Sequence, residues 1–219
     1  MKVLLIGTRR TCQKAASLSS GEIILIPFPV LDTKVLEDII FPQTEYEWLF
    51  LTSPAAALHF SQLKHKAHFK KVAVVGPATE NAAKKAGFTV TYVPKNFNSE
   101  SFSIELLKSF PKIENALFPC SSKADDTIYS LFNEAGCNVD RIDLYEPVIL
   151  EKKDLPEYDA AVFFSSSSAE TFYRIYGHPG TKKIAAIGKK AAKTVKECFG
   201  IDALVPANST ALDTIQTLL

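Results

Sequence analysis

The chain repeats itself at a nearly constant interval, and this repeat limits the folds that are open to it. The segment Lys70–Gly76 (KKVAVVG) is similar to Lys182–Gly188 (KKIAAIG), with the glycines 112 residues apart. Three more pairs of segments share offsets of 112 or 113, and a further pair is offset by 118. Because chance similarities between buried strands rarely agree in their offsets, the pattern predicts a tandem duplication of residues 1–110 and 113–219.

Each copy alternates short apolar runs with helical stretches. Val72–Val75 and Ile184–Ile187 are apolar throughout, which is typical of strands buried on both faces of a parallel sheet. The stretches that follow, Pro77–Ala86 and Lys189–Phe199, end at glycines and predict helices. Two further helices are expected to start at the N-caps Ser99 and Thr210. The pattern therefore predicts an α/β fold with two parallel-sheet domains derived from the duplication.

Two extended, proline-bearing segments interrupt this alternation in equivalent places. Ile26–Leu31 (IPFPVL) and Leu144–Leu150 (LYEPVIL) predict connectors, because proline suits edge strands and linkers. We expect interdomain linkers at 28–36 and 144–150 that pair as a two-stranded ladder, with a cleft between the domains. One domain would comprise 1–27 plus 151–219, and the other 37–143. The repeat alone leaves open whether 1–27 packs with its own copy or with the other.

Composition narrows the class of protein. Of 219 residues, 47% are hydrophobic and 22% charged, which excludes a disordered, collagen-like or bare coiled-coil chain. A net charge of +1 provides no general attraction to nucleic acid, so any polyanion would have to bind locally. The four cysteines form no C-x-x-C pair, which favours a reduced, cytoplasmic location. The pattern of apolar residues predicts neither a signal peptide nor a membrane helix.

Hydroxyl side chains follow two equivalent strands. Thr52 and Ser53 come after the apolar run Trp48–Leu51, and Ser165, Ser166 and Ser167 come after Ala160–Phe164. Ligands of open α/β sheets bind beyond the carboxyl ends of the strands, and the N-terminus of a helix attracts anions. These loops are therefore predicted anion sites. Plain N-capping is the alternative, although the equivalence of the two loops favours binding.

Two glycine-led turns and one arginine add to the predicted binding residues. Gly76–Thr79 and Gly188–Ala191 also follow strands and open helices, and the second turn includes Lys189 and Lys190. Neither turn has the glycine spacing of a Walker or dinucleotide motif. Arg9 follows the first strand and could face the same ligand, or simply be solvated.

Tyr145 is the candidate catalytic residue, because a phenol in the second linker could donate a proton into the cleft. Packing is the alternative role for a tyrosine at a strand position. His59, His65 and His68 could share a helix face, but no carboxylate or cysteine completes a metal site. We interpret His59, His65 and His68 as surface residues and expect no metal.

At these residues the sequence resembles the uroporphyrinogen-III synthase family, lyases of tetrapyrrole (heme) biosynthesis. The resemblance covers most of the chain and depends on the order of several short motifs. It implies two α/β domains joined by a two-stranded ladder, with the N-terminal segment in the C-terminal domain. The motifs, in order, are Trp48–Ala55, Val74–Thr79, Leu117–Pro119, Leu144–Pro147, Val162–Ser166 and Ala185–Gly188.

The resemblance also implies a reaction and its ligand. The substrate would be hydroxymethylbilane, a linear tetrapyrrole with eight carboxylates. It would lose its terminal hydroxyl as water and close, through a spiro intermediate, with ring D inverted. The family uses no cofactor or metal. A monomer is expected, with no nucleic-acid partner and at most a transient contact with the preceding pathway enzyme.

Some residues match the family and some depart from it. Tyr145 matches the tyrosine proposed to assist departure of the hydroxyl, and Thr79 matches a binding threonine. Ser53 and Ser166 match the two serines at strand ends. Two contacts are missing, because Ala191 stands where the family often has threonine and Ala55 where it often has a basic or amide residue. The lysines at 189 and 190 could replace one lost anion contact.

Two other functions remain open from the sequence. A bilobal protein that closes on a polyanionic small molecule without chemistry would have the same two crossovers. A sugar-phosphate isomerase would explain the serine-rich loop, but it would require an acid–base Glu or His beside Ser165–Ser168, and none is evident.

Overall fold

The computed structural model describes residues 1–18 and 23–219, and the segment 19–22 of the predicted 1–27 piece lies outside the described residues. None of the helices within the described ranges is long and apolar enough to cross a membrane. Strands and helices alternate along most of the chain. The elements are β1 Lys2–Thr8, α1 Arg9–Ala16, β2 Ile24–Val35, β3 Glu45–Leu51, α2 Pro54–Ser61, a short 3-10 helix Lys64–Lys66, β4 His68–Val74, α3 Pro77–Lys85, α4 Ser99–Ser109, β5 Asn115–Ser121, α5 Thr127–Glu134, β6 Asn138–Ile149, β7 Ala160–Phe163, α6 Ser166–Tyr176, β8 Ile184–Ala186, α7 Lys189–Phe199 and α8 Ala211–Gln216.

The chain divides into two compact units, which are Met1–Asp32 with Val148–Leu219, and Thr33–Pro147. We call them the discontinuous unit and the continuous unit. The strand order β4-β3-β5-β6-β2-β1-β7-β8 contains eight strands. The strands of each unit pair in parallel, as the apolar runs and the resemblance predict for an α/β fold.

In the continuous unit, alternate residues of each strand face opposite helix layers. Leu49 and Leu51 of β3 pack with the apolar faces of α2 and α3. Trp48 and Phe50, which alternate with these leucines in sequence, pack with α4 and α5 through Phe102 and Phe132. Burial on both faces explains why these strands are apolar at every position. The same packing fixes the positions of the carboxyl ends of β3 and β4. The candidate site residues directly follow these two ends.

The discontinuous unit is built in the same way from separate pieces of the chain. Leu4 and Ile6 of β1 pack with α6 and α7, while Val3 and Leu5 pack with α1 and α8. Strand β1 lies between β2 and β7, and Val3 is aligned with Ala160. Thus the N-terminal strand belongs to the same compact unit as the last third of the chain.

The chain passes between the units within β2 and within β6, each 12 residues long. The divisions at 32/33 and 147/148 fall inside the predicted linkers 28–36 and 144–150. The two strands are antiparallel neighbours, because the Leu36 N–H donates to the Leu144 carbonyl (3.0 Å) and the Leu150 N–H to the Val30 carbonyl (3.1 Å). The predicted linkers are therefore parts of two long strands. The predicted domain limits remain predictions.

Two prolines lie inside β2 without removing a backbone hydrogen bond between β2 and β1. Pro27 and Pro29 are aligned with Leu5 and Gly7 of β1. The Ile24 N–H donates to the Met1 carbonyl (2.9 Å), and successive residues of a strand point their N–H groups to opposite sides. The nitrogens of both prolines therefore face away from β1. Neither proline therefore removes a hydrogen bond from the pairing of β2 with β1.

Candidate functional site

In the continuous unit, a serine–tyrosine pair forms just beyond the end of β3. Ser53 is the N-cap of α2, and its Oγ accepts the Ala56 N–H at 2.9 Å. The same Oγ lies 2.8 Å from the Tyr145 hydroxyl. N-capping, the alternative role for this serine, is therefore present together with the contact to the candidate catalytic residue. The two residues are 92 positions apart in sequence.

Tyr145 is held with its hydroxyl in a largely apolar environment. It lies on β6, with 7% of the side chain exposed, among the residues that pack with α2 and α3. Burial raises the pKa of the Tyr145 phenol, the Ser53 hydrogen bond opposes that shift, and the Cys120 thiol adds to it. The phenol is thus protonated at neutral pH, the form that can donate a proton.

His59 is the residue of this site that the sequence analysis missed. Its ring centroid lies 5.3 Å from that of Tyr145, with the planes tilted by 45°. Its Nε2 lies 2.8 Å from the Thr33 Oγ1, which fixes the imidazole on β2. The one sequence feature that could have indicated this role is that His59 lies on α2, the helix that Ser53 caps. The phenol ring is thus held by His59 on its face and by Ser53 at its oxygen.

The other predicted residues of the continuous unit follow β3 and β4. Thr52 is partly buried between β3 and the Ser53 cap. Gly76 caps α3, and a β-carbon there would lie 3.1 Å from the Phe97 Cβ. Thr79, in the first turn of α3, is only 3% exposed. The structure thus places Thr79 at the predicted helix start, with its side chain buried.

In the discontinuous unit, the starts of α6 and α7 line an open cavity of about 620 Å³. Six of the predicted substrate-binding residues line it. Two helix N-termini contribute positive partial charge to it, and the N–H groups of their first turns have no acceptor within the helix. The lining residues are Ser165, Ser166, Ser167, Glu170, Ile187, Gly188, Lys189, Lys190, Ala191 and Ser209.

The serines at the start of α6 make different hydrogen bonds. Ser165 and Ser168 form a capping box, in which Ser165 Oγ accepts the Ser168 N–H at 3.0 Å and Ser168 Oγ accepts the Ser165 N–H at 3.1 Å. Ser167 Oγ lies 3.1 Å from Ser165 Oγ. The buried Ser166 Oγ has no hydrogen-bond partner within the described chain. N-capping therefore accounts for Ser165 but not for the buried Ser166 hydroxyl.

Gly188 caps α7, and the exposed Lys189 and Lys190 form its first turn. A β-carbon on Gly188 would lie 3.3 Å from the Ser209 Oγ. The sequence analysis missed Ser209, although the repeat offset of 112 aligns it with Phe97, the residue that lies against Gly76. It also missed Glu170, whose carboxylate is a negative charge at the same cavity.

Arg9 has a different contact from the one predicted. Its Nε donates to the Asp32 Oδ2 at 2.9 Å, with half of the arginine side chain exposed. Arg9 does not line the 620 Å³ cavity. Neither alternative, ligand contact or plain solvation, describes this ion pair, so a role for Arg9 in binding stays a prediction.

The fold and the candidate site together define a class of protein. It is an α/β fold of mainly parallel strands, with a buried phenol in one unit and a cavity at two helix N-termini in the other. Within the described ranges, no three His, Cys, Asp or Glu residues are grouped as metal ligands. The family model described as uroporphyrinogen-III synthase HemD matches residues 13–216. The chain belongs to the uroporphyrinogen-III synthase family, which confirms the resemblance.

Individual relatives agree with this assignment. A protein of Methanocaldococcus jannaschii with the provisional name uroporphyrinogen-III synthase is 26% identical over 243 residues, covering 100% of this chain and 99% of the relative. The fold is similar to that of uroporphyrinogen-III synthetase from Helicobacter pylori (TM-score 0.69, 12% identity, 100% and 99% covered). A mutant uroporphyrinogen III synthase of Thermus thermophilus gives a TM-score of 0.57 at 16% identity, with 99% and 96% covered.

Family membership settles the general activity. The chain is an enzyme of the uroporphyrinogen-III synthase type, a lyase of heme biosynthesis that acts on a small-molecule tetrapyrrole. The predictions of an α/β fold and of the enzyme class are confirmed. The tandem duplication and the cleft between two domains stay predictions.

Proposed function

We propose that this chain closes hydroxymethylbilane to uroporphyrinogen III in the cytoplasm, with loss of water and inversion of ring D, and that it needs no cofactor. The observation that carries the proposal is the hydrogen bond between Ser53 Oγ and the buried Tyr145 hydroxyl, 2.8 Å long. It joins a proton donor and its stabiliser at the carboxyl edge of a parallel sheet, where α/β enzymes bind their ligands.

Tyr145 acts as the general acid in this proposal. Its proton goes to the terminal hydroxyl of the bilane as the carbon–oxygen bond breaks, so that water leaves. The lone pair of the adjacent pyrrole nitrogen stabilises the resulting cation. The proton released when the closed ring regains aromaticity returns to the phenolate, and Tyr145 ends the cycle protonated.

Ser53 determines how well Tyr145 can give up that proton. One lone pair of the Ser53 oxygen accepts the Ala56 N–H, and the hydroxyl hydrogen remains free to donate to the tyrosine oxygen. A donor to the phenolate lowers the pKa of Tyr145, opposite to the effect of burial. Ser53 therefore stabilises the charge that forms on Tyr145 as the hydroxyl leaves.

The cavity of the discontinuous unit binds carboxylates of the same substrate. Serine hydroxyls, two ammonium groups and two helix N-termini line this cavity and supply donors for carboxylates. Lys189 and Lys190 take the place of the family contact that Ala191 cannot make. Gly76 and Thr79 provide the equivalent helix start in the continuous unit.

Holding the conformation of the bilane is the other part of the task. Without an enzyme the bilane closes to the uninverted isomer, so the protein has to fix ring D before bond formation. Several N–H and hydroxyl donors on separate carboxylates can do this without a large net charge.

The test supplies the chain with hydroxymethylbilane generated enzymatically and separates the type I and type III products by chromatography. We expect mainly type III with the natural chain and type I in a reaction without it. A chain that binds the bilane but yields type I would be a binding protein. A chain that instead converts a sugar phosphate would be an isomerase.

A further inference from the structure

The continuous unit has a concentration of positive charge that the proposed reaction does not use. Residues 48–79 contain no Asp or Glu but include Lys64, Lys66, Lys70 and Lys71. The whole chain has a net charge of only +1, so this local excess is offset elsewhere in the sequence. An anion that met this chain would be attracted to this region rather than to the chain as a whole.

Part of this charge surrounds a cavity of about 540 Å³, which we call the basic pocket. The cavity lies between the 3-10 helix, the start of β4 and the turn after α3. Its rim has the ammonium groups of Lys64 and Lys70 and the imidazoles of His65 and His68. Phe69 and the buried Phe88 provide an apolar surface in the same cavity. No carboxylate lines it.

Within residues 1–18 and 23–219, the lysines of the rim differ from their neighbours in having no counter-ion. Lys71 pairs with Glu47 (3.2 Å) and Lys84 with Glu80 (2.6 Å). Among the residues that the structure describes, neither Lys64 nor Lys70 has an ion pair. A carboxylate entering the pocket would therefore meet two ammonium groups without displacing an acidic side chain.

Lys64 lies close to the end of a helix. Its Nζ is 3.8 Å from the position that a β-carbon would take at Gly87, directly after α3. Gly87 has φ +82°, the left-handed conformation that glycine adopts readily where a helix ends. The end of a helix carries a negative partial charge, which favours a cation at this place.

The basic pocket is separate from the site of Ser53 and Tyr145. It lies at the amino end of β4, which begins at His68, whereas Gly76 follows the carboxyl end of the same strand. A strand of seven residues spans about 20 Å. A ligand in the pocket would therefore not reach the phenol.

We propose that the basic pocket is a second binding site, for a small aromatic carboxylate. The carboxylate lies between Lys64 and Lys70, and the ring packs on Phe69 and Phe88. A neutral aromatic compound would leave the cations unused, and an inorganic anion would leave the apolar surface unused. The volume is within the range of about 300–1,000 Å³ usual for small-molecule sites.

The experiment titrates the full chain, labelled with ¹⁵N, with 1-naphthoate and follows the amide signals. The neutral 1-naphthalenemethanol and inorganic phosphate are the comparison ligands. We expect the largest shifts at His68, Gly87 and Thr89, and naphthoate binding about tenfold tighter than either comparison ligand. Added salt should weaken the binding of naphthoate.

Two matched double variants test the role of the lysines. Lys64→Gln with Lys70→Gln removes the charges of the rim and should weaken naphthoate binding about tenfold. Lys66→Gln with Lys85→Gln changes the net charge equally outside the pocket lining, and we expect less than a twofold effect. Neither variant should alter the turnover of hydroxymethylbilane, so this test is independent of the proposed reaction.

Four results would overturn the proposal. They are equal binding of the neutral alcohol, equal binding of phosphate, equal weakening in both double variants, and amide shifts confined to residues outside the pocket.

Discussion

Replacing Ser53 by alanine tests the pair on which the proposed chemistry depends. The change removes the acceptor of the Ala56 N–H and the partner of the Tyr145 hydroxyl. Loss of an N-cap costs about 0.5–2 kcal/mol, and a buried hydroxyl without a partner costs about 1–3 kcal/mol. Since Tyr145 is only 7% exposed, we expect the free energy of unfolding to fall by about 2–4 kcal/mol.

A double-mutant cycle separates the two contributions. Tyr145→Phe removes the phenol oxygen but leaves the serine as a cap. In that background Ser53→Ala leaves no hydroxyl unpaired, so it should cost only about 1 kcal/mol for the cap. The double variant should therefore be about 1–3 kcal/mol more stable than the sum of the single changes predicts.

The assay is urea unfolding followed by tryptophan fluorescence. The chain has one tryptophan, Trp48, fully buried on β3 in the same compact unit as Ser53 and Tyr145. Its emission therefore reports the unfolding of that unit. Ser53→Thr, which keeps the hydroxyl, is the matched control and should recover most of the stability.

The kinetic side of the same variant gives an independent measurement. A hydrogen bond to a charged group is worth about 1.5–3 kcal/mol, so loss of the Ser53 donor should lower kcat by about 10–150-fold. Additive stabilities within about 0.5 kcal/mol, together with an unchanged kcat, would refute the reasoning that Ser53 acts on Tyr145.

Four further predictions concern separate residues. Tyr145→Phe should lower kcat by about 100-fold or less while the product stays mostly type III, as chromatography of the products would show, and full activity would remove the phenol from the chemistry. Lys189→Ala with Lys190→Ala should raise KM for the bilane and leave the urea midpoint unchanged, whereas an unchanged KM would mean that both lysines are only solvated. His59→Leu should lower kcat more than a Leu58→Ala control on the same helix, if His59 holds the phenol ring. Burial raises the pKa of Cys120 to about 11 and of Cys137 to about 12. The free energy of unfolding should therefore fall as pH rises above about 9, because the thiols of the unfolded chain ionise first. Urea titrations at pH 8.5 and 10 should show a smaller fall for Cys137→Ala than for the natural chain.

The apolar runs predicted the strands well because burial on both faces leaves little choice of residue. β7, for example, is apolar at each of its four positions. β6 was harder to predict, because the charged Asp140 and Arg141 interrupt its first half, and only its last residues suggested an extended segment. Helix starts were predicted to within about one residue. Thr210 Oγ1 accepts the Asp213 N–H as expected, but Asn98 rather than Ser99 caps α4.

The sequence predicted a residue of the candidate site only where that residue directly follows a strand. Ser53 and Ser166 follow apolar runs, so their place at the carboxyl edge follows from the sequence. The contacts of His59 with Tyr145 and Thr33 join three elements, and no local pattern in the sequence encodes such a meeting. Arg9 could not be assigned either, because its partner Asp32 lies on the next strand rather than in its own loop.

The placement of β1 beside β7 makes the order of synthesis matter for folding. On the ribosome, β1 emerges first, but its neighbour Ala160–Phe163 is made about 10–25 s later at ordinary rates of synthesis. The residues Thr33–Pro147 can form their own core during that interval. Meanwhile Val3–Ile6, which are fully buried in the finished protein, present an apolar edge to other nascent chains. Chains that stop before residue 160 should therefore aggregate through this first strand, even when their central unit is already folded.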